Sequence, residues 1–547
     1  MDQLPRELID AILQQCVDQG PRNVVLDLRL VCRTFNHVLK PFACRTIGVD
    51  FSRLSKTSGR QRPDTDALQT IGYHCKGVYI DLMVLRDDLE VEFLNTVFSR
   101  VDSMTDFCET LRTEYCMNKT SFTEMEYYAM TEDILFNCRD IERLRLNLPF
   151  QLVGRHCNAA TMILANTFKA FANRPEEDSA RLKVLVLENL PDIAVCHLWM
   201  NPIDVMNIMK VLGGLEHLVI TLRRHEMDPQ RSGLFGSCLW SVVGNAEQLQ
   251  SLCFVGMDHD DRPPRGLKQT KYWQMAAEEW RARSIPAPRV MLSNLTCLEL
   301  KRVEVMPDVL LGAAEKFGPT LEELYLNEVY LKAEQSRDWN ADSTKVLWIG
   351  LPNQRPPEDS KWIAMELRSM MPNLRICRAS FLAYDHYLRD DAGRHPEFDL
   401  IDPCGLGRSV SQRFVEVISG IRQPNMPSGD SVEFLPADSA NDHLLGRLTS
   451  RTRALRVTEY DTNAYQTVVD NTTSRWHTRG IDGVFQNCNS GTLDKLHFIA
   501  ETACQGMNEI HQRRSEWTAE NSMANEYTDN LFNIPGLDEA EPLDDAD

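Results

Sequence analysis

Two short polar clusters, His225-Glu226 and His259-Asp260-Asp261, together with sixteen cysteines, are the side chains of greatest intrinsic reactivity in this chain. A histidine beside a carboxylate can ligate a divalent metal or relay a proton, and a cysteine can hold a soft metal, attack as a nucleophile or form a disulfide. Each of these needs a second group at a set spacing; neither His cluster has one, so both read as exposed loop residues. The cysteines occur singly (Cys16, Cys32, Cys44, Cys75, Cys108, Cys116 and onward), many inside apolar runs, with no C-x-x-C pair. That is the pattern of small buried hydrophobes in a reducing compartment rather than of zinc or disulfide sites. The phosphate-cradling G-x-x-x-x-G-K-[ST] loop, G-x-G-x-x-G after a strand, G-x-S-x-G and H-E-x-x-H are all absent. The sequence therefore implies no enzyme, no metal and no cofactor. One reading stays open, an active site assembled from distant positions, because such sites are defined in space.

Composition narrows the partners. The net charge of -20 and a pI near 5.2 argue against nucleic acid, whose phosphates demand clustered Lys and Arg. No run of about 18 apolar residues is long enough for a membrane span, and the opening MDQLPRELID has no leader-like apolar core. The expected location is intracellular, in cytoplasm, nucleus or both. A content of 43% hydrophobic and 25% charged residues is that of a folded chain, and 547 residues allow several domains or one repeat array.

If function lies in recognition, the elements that present the recognition residues matter most. In the first fifty residues, Pro5 stands where a helix can begin, and apolar residues recur at Leu8, Ile9, Ile12, Leu13 and Cys16 at helical spacing. Asp18 to Pro21 breaks that helix. A second apolar set follows at Val24, Val25, Leu28, Val31, Cys32, Phe35, Val38 and Leu39, until Lys40-Pro41 is expected to interrupt it. Two or three helices of this size sit near the lower limit for a self-sufficient core, so some of their apolar residues should face a partner.

LPRELIDAIL followed by LDLRLVCRTFNHVLKPF resembles the F-box, over roughly residues 4 to 47. The departures are the longer, polar connection from Asp18 to Asn23, and Phe35 where Trp is common. The resemblance implies docking on the Skp-type linker subunit of a cullin-RING ubiquitin ligase. It places Leu4, Pro5, Leu8, Ile12, Leu13, Leu28, Val31, Cys32 and Phe35 partly at that interface and partly in the module's own core.

Through the middle of the chain, Leu-x-x-Leu-x-Leu runs recur at Ile141 to Leu146, Leu182 to Leu187, Leu215 to Ile220, Leu249 to Phe254, Leu295 to Leu300 and Leu321 to Leu326. A degraded copy spans Leu374 to Ala379 and a later one Leu493 to Phe498. Between them, helical spacing marks Ala160 to Ala172, Ile203 to Leu212, Leu239 to Leu249, Val309 to Phe317 and Trp362 to Met371. Alternating strand and helix resembles the leucine-rich repeat family, with long, uneven spacing and no regular Asn ladder.

The expected fold is α/β: an N-terminal helical F-box-like module (1-47), then an irregular leucine-rich-repeat-like αβ solenoid (48-510) with an aromatic insertion near 258-289, and a C-terminal helix and disordered acidic tail (511-547). Strand alternation should turn Arg145, Val186, Val219, Cys253, Glu299 and Tyr325 away from the core, with Asn147, Glu188, Thr221, Val255, Lys301 and Asn327 beside them. Within that mixed row, Arg145, Glu188, Glu299, Lys301, Tyr325 and Asn327 are the candidate contacts to a protein target. The implied function is that of a non-enzymatic ligase adaptor holding a target on the solenoid; the alternative is a leucine-rich scaffold outside any ligase, its N-terminal helices serving as a cap.

Overall fold

The structure is a computed structural model, and it describes residues 5–19, 22–50, 67–82, 105–106, 124–149, 158–175, 180–223, 229–256, 285–301, 303–327, 329–331, 346–347, 361–380, 382–384, 411, 414–415 and 418. Its opening is helical: α1 (Arg6–Gln19), α2 (Arg22–Leu28) and α3 (Arg33–Ala43). The Pro5 carbonyl accepts the amides of Leu8 and Ile9 and so starts α1. At α3 the Cys32 sulfur caps the first turn by accepting the Phe35 amide. Leu13, Val25, Phe35, Leu39 and Ala43 form a core of their own, with Ile9, Val17, Leu28 and Val38 packed around it. Contrary to the expected stop at Lys40-Pro41, α3 runs through Pro41 to Ala43. A proline this near the end removes one helical bond, and burial of Leu39 and Ala43 on either side keeps the turn in place.

Helix α3 passes into a parallel sheet after only Cys44 and Arg45. The strands are β1 (Thr46–Asp50), β2 (Gly77–Asp81), β3 (Arg143–Asn147), β4 (Val184–Pro191), β5 (His217–Arg223), β6 (Ser251–Gly256), β7 (Cys297–Lys301), β8 (Glu304–Val305), β9 (Glu323–Asn327), β10 (Tyr330–Leu331), β11 (Val346–Leu347), β12 (Lys361–Trp362), β13 (Ile376–Ser380) and β14 (Ala383–Tyr384). Nine of them form one sheet in the order β1-β2-β3-β4-β5-β6-β7-β9-β13, every pairing parallel. Chain order and spatial order coincide, so the chain advances one strand at a time in one direction. Between strands lie α4 (Leu68–Ile71) with a 3-10 turn (Gly72–His74), α5 (Glu124–Asn137), α6 (Asn158–Ala172), α7 (Asp192–Met200), α8 (Pro202–Leu212), α9 (Pro229–Val243), α10 (Pro307–Phe317) and α11 (Ile363–Met370). Three short strands add a second parallel sheet, β14-β10-β8.

One core joins the leucines of the strands to the helices: Leu144, Leu185, Leu218, Leu252, Leu298 and Leu324 on the sheet meet Phe168, Ile208, Trp240 and Phe317 from the helical side. The fold class is thus α/β with a large parallel sheet and helices, as read from the sequence. The finer boundaries differ. Thr46 already belongs to β1, inside the segment assigned to the N-terminal module. Strands β1 and β2 are built on Ile and Val rather than Leu, so the leucine pattern does not reach them. Helix α9 spans Pro229–Val243 rather than Leu239 to Leu249, since burial of Phe235, Leu239, Trp240 and Val243 outweighs the poor helix propensity of Gly233 and Gly236. The last residues of the expected insertion belong to the core: Ile285 is buried and donates to the Glu304 carbonyl, and Trp240 Nε1 donates to the Pro286 carbonyl at 2.9 Å. The rest of that insertion with Tyr272, Trp273 and Trp280, the copy at Leu493 to Phe498, and the tail from 511 lie outside the described residues.

Gly318 caps α10 where a β-carbon would strike the carbonyl oxygens of Ala314 and Met370, whereas Gly233 is exposed within α9 with nothing near its β-position. Gly318→Ala is expected to cost about 1–3 kcal/mol by overpacking, and Gly233→Ala to add about 1 kcal/mol by helix propensity. Denaturant midpoints shifting in opposite directions would bear this out; a neutral Gly318→Ala would show that α10 and α11 can separate freely.

Candidate functional site

Two surfaces could carry recognition. The first is on the N-terminal helices. Their core is closed by Leu13 and Phe35, with Leu28 half-buried against it, while Leu8 is 51% exposed, Ile12 45%, Leu30 77% and Val31 66%. Leu8 and Ile12 are one turn apart on α1, so they share a flank beside the core-facing Ile9, Leu13 and Val17. Leu30 and Val31 form the corner between α2 and α3, held by amide bonds from Leu30 to the Asp27 carbonyl and from Val31 to the Leu28 carbonyl. Pro5 and Cys32 are exposed as well, and Leu4 lies outside the described residues. The structure thus divides a set that sequence alone leaves mixed: Leu13, Phe35 and Leu28 pack inward, and Pro5, Leu8, Ile12, Val31 and Cys32 do not. Leu30, Val24 and Leu26, also exposed, join the outward group; their place in the apolar pattern could have suggested a core role, and only the three-dimensional packing assigns them to the surface.

The second surface is the sheet face opposite the leucines. Register aligns Tyr79, Arg145, Val186, Val219, Cys253, Glu299, Tyr325 and Arg378 side by side across eight strands. The expected row therefore exists, on the expected face. It is not a row of solvent-facing side chains. Arg145 is 4% exposed, Glu188 2%, Tyr325 9% and Asn327 5%, with only Glu299 and Lys301 half-buried. Val184, Val186, Val219, Cys253 and Val255 pack there as a small core made of strand residues.

At the β2 to β4 end of this face charge is paired internally. Arg145 Nε and Nη2 donate to Glu188 Oε2 and Oε1 at 3.0 and 2.8 Å, a bidentate pair with both side chains buried, and the guanidinium lies 4.4 Å from the centre of the Tyr79 ring. The Tyr79 hydroxyl donates to Asp81 Oδ2 at 3.0 Å and Asn147 Nδ2 donates to Asp81 Oδ1 at 3.0 Å. Burial, reinforced by the Asp81 carboxylate, pushes the Tyr79 phenol well above its ordinary value. Further along, the Tyr325 hydroxyl donates to Glu323 Oε2 at 3.2 Å. Such a network selects one arrangement of the sheet. Tyr79 and Asp81 were not singled out in the sequence, because β2 lacks the leucine signature that identified its neighbours.

Among the described residues no three His, Cys, Asp or Glu side chains come together to hold a metal, and no helix is long and apolar enough to cross a membrane. The described cysteines are mostly buried thiols. No protein-family model matches this chain, and no curated protein is similar to it.

Two outcomes follow from the buried network. Arg145→Met alone strands the Glu188 carboxylate and should cost roughly 3–5 kcal/mol, while Arg145→Met with Glu188→Leu should cost clearly less; a double-mutant cycle in denaturant reads the difference. At high pH, Tyr79 and the fully buried Tyr127, pushed up to about 12 by burial, stay protonated in the folded chain after the unfolded chain has ionised near 10.0. The folded state then binds more protons, so stability falls as pH rises above 10.0. Tyr79→Phe should flatten that alkaline limb, and an unchanged slope would mean the phenol is solvated.

Proposed function

We propose that the chain is a substrate-recognition adaptor of a Skp-cullin-F-box ubiquitin ligase, with residues 1-47 as an F-box-like module and the strand-helix domain as an irregular leucine-rich-repeat solenoid. In this reading the N-terminal helices hold the Skp-type linker subunit, the solenoid holds a protein target, and the chain performs no chemistry. Holding the target beside a ubiquitin-loaded enzyme raises the effective concentration of its lysines, which is all that an adaptor has to supply. Cytoplasm and nucleus are where such a ligase would act.

The single observation that supports this most is the exposure of Leu8, Ile12, Leu30 and Val31 on helices that already have a closed core. Apolar side chains left over after a module has packed are what a docking face consists of. The scaffold alternative draws on α3, which leads into β1 and packs on the 3-10 turn at Gly72–His74, with Lys40 Nζ donating to the Thr70 carbonyl at 3.2 Å. A cap of that kind gives Leu8 and Ile12 no role. For the target, half-buried Glu299 and Lys301 are the more accessible of the candidate contacts, and Arg145, Glu188, Tyr325 and Asn327 would be reached only with rearrangement.

Purified full-length chain is expected to bind the Skp-type linker subunit, and Leu8→Asp with Ile12→Asp to lose roughly tenfold or more in affinity while keeping its circular dichroism spectrum. Leu13→Asp, aimed at the module's core, should instead unfold the module. Failure of well-folded wild type to bind would sink the adaptor reading and leave the scaffold.

A further inference from the structure

The sheet face opposite the leucines carries two tyrosine–arginine pairs in the same register. Tyr79 of β2 lies opposite Arg145 of β3, and Tyr325 of β9 lies opposite Arg378 of β13. In both, the tyrosine hydroxyl donates to a carboxylate two residues away on its own strand, Asp81 for Tyr79 and Glu323 for Tyr325. The pairs differ in what the arginine meets. Beyond Arg145 stands β4, whose Glu188 accepts from both Nε and Nη2. Beyond Arg378 no strand follows among the described residues, because β13 ends the nine-stranded sheet. Arg378 Nε is buried with no acceptor. A buried donor in that state costs free energy that an acceptor supplied from outside would return.

We propose that Arg378, assisted by Lys301, binds the carboxylate of an aspartate or glutamate on a partner polypeptide. The Arg145–Glu188 pair shows within the same sheet what an arginine at this height takes: one carboxylate, held by two parallel hydrogen bonds. Arg378 is half-buried rather than enclosed, so rotation about its last side-chain bonds can present the Nε–Nη2 edge to an incoming group. Lys301 on β7 is half-buried too and in no ion pair with a described residue. At about 4.8 Å per strand it lies roughly 10 Å across the sheet from β13, with Tyr325 and Asn327 of β9 between them.

Two carboxylates share the neighbourhood. Glu323 is engaged by the Tyr325 hydroxyl at 3.2 Å, and Glu299 is half-buried on the strand of Lys301. Together with the net charge of -20 they disfavour a diffuse polyanion and leave the site to a localised charge that Arg378 can grip. A phosphate group shares this oxo-anion chemistry, but the filled site at Arg145 holds a planar carboxylate, and the empty one repeats its strand geometry. As a contact to a ligase target the site rests on the adaptor reading; as a carboxylate site it does not.

The test is fluorescence anisotropy of a labelled glycine-rich peptide with a central glutamate pair, titrated with full-length chain beside its glutamine and phosphoserine counterparts. The glutamate peptide is expected to bind and the glutamine peptide not to. Arg378→Met should weaken binding roughly tenfold or more and Lys301→Met by less, and Arg378→Lys should restore only part, since lysine lacks the planar fork. Arg378→Met should also leave the melting temperature at or above that of wild type, unlike Arg145→Met, because it removes an unsatisfied donor. No preference for glutamate over glutamine, indifference to Arg378→Met, or tighter binding of the phosphoserine peptide would overturn the proposal. So would a lowered melting temperature, which would show Arg378 to be paired within the chain. Linker-subunit binding on the same preparation separates the two readings: a chain that binds the linker but not the glutamate peptide loses this site alone, and the converse loses the adaptor reading alone.

Discussion

Everything in the described structure hangs on the register of one parallel sheet. At the start of each strand of the nine-stranded sheet from β2 onward, two successive amides converge on the single carbonyl just before the neighbouring strand: Lys76 and Gly77 on Arg45, Glu142 and Arg143 on Lys76, and so on to Arg375 and Ile376 on Glu322. This repeated fork pins every strand to its predecessor at the same offset. A slip of one residue anywhere would turn leucines out of the core and carry the Arg145–Glu188 pair into it. The one irregularity falls in β4 between Leu187 and Leu190, where Asn189 adopts a φ of 60° and its side-chain amide donates to the Leu148 carbonyl at 3.0 Å. Asparagine tolerates that left-handed conformation better than most residues, and pairing resumes beyond the bulge one residue out of step, with Leu190 opposite Leu222 and Pro191 opposite Arg223.

Fixed register explains why the opposite face can be so polar and yet so buried. Across β2, β3 and β4 the register places Tyr79, Asp81, Arg145, Asn147 and Glu188 where a neighbour offers the complementary group, so these polar groups pair along the sheet, and the valines of the next strands cover the face beside them. Strand alternation foresees which face these residues occupy. It does not foresee their burial, because alternation describes direction and says nothing of what lies above the face.

The legible parts of the sequence were those where one physical signal dominates. Leu-x-x-Leu-x-Leu marks β3 to β7 and β9, and even the degraded copy at Leu374 becomes β13. Helices α6, α8, α10 and α11 lie within a few residues of their periodic apolar stretches. Where signals conflict, reading fails: the glycines of α9 mask a buried helix, Pro41 suggests a break that packing overrides, and the Ile and Val strands β1 and β2 carry no leucine mark. For the N-terminal helices, apolar spacing names the participants, yet core and surface positions differ by about one residue step on a helix, about 100° of rotation. Leu8 and Ile9 are adjacent in sequence and opposite in fate for that reason.

The junction of Cys44 and Arg45 has a mechanical meaning. Helix α3 ends at Ala43 and β1 begins at Thr46, and both junction residues have their amides engaged, Cys44 with the Lys40 carbonyl and Arg45 with Phe42. With adjacent strands about 4.8 Å apart, the ninth strand lies on the order of 40 Å from the first, so a twist of roughly 10° at the junction sweeps the far end by about 7 Å. The sheet acts as a lever arm whose fulcrum is these two residues braced by the contact of α3 on the 3-10 turn, and the torsional stiffness of that fulcrum sets how finely the far strands are aimed.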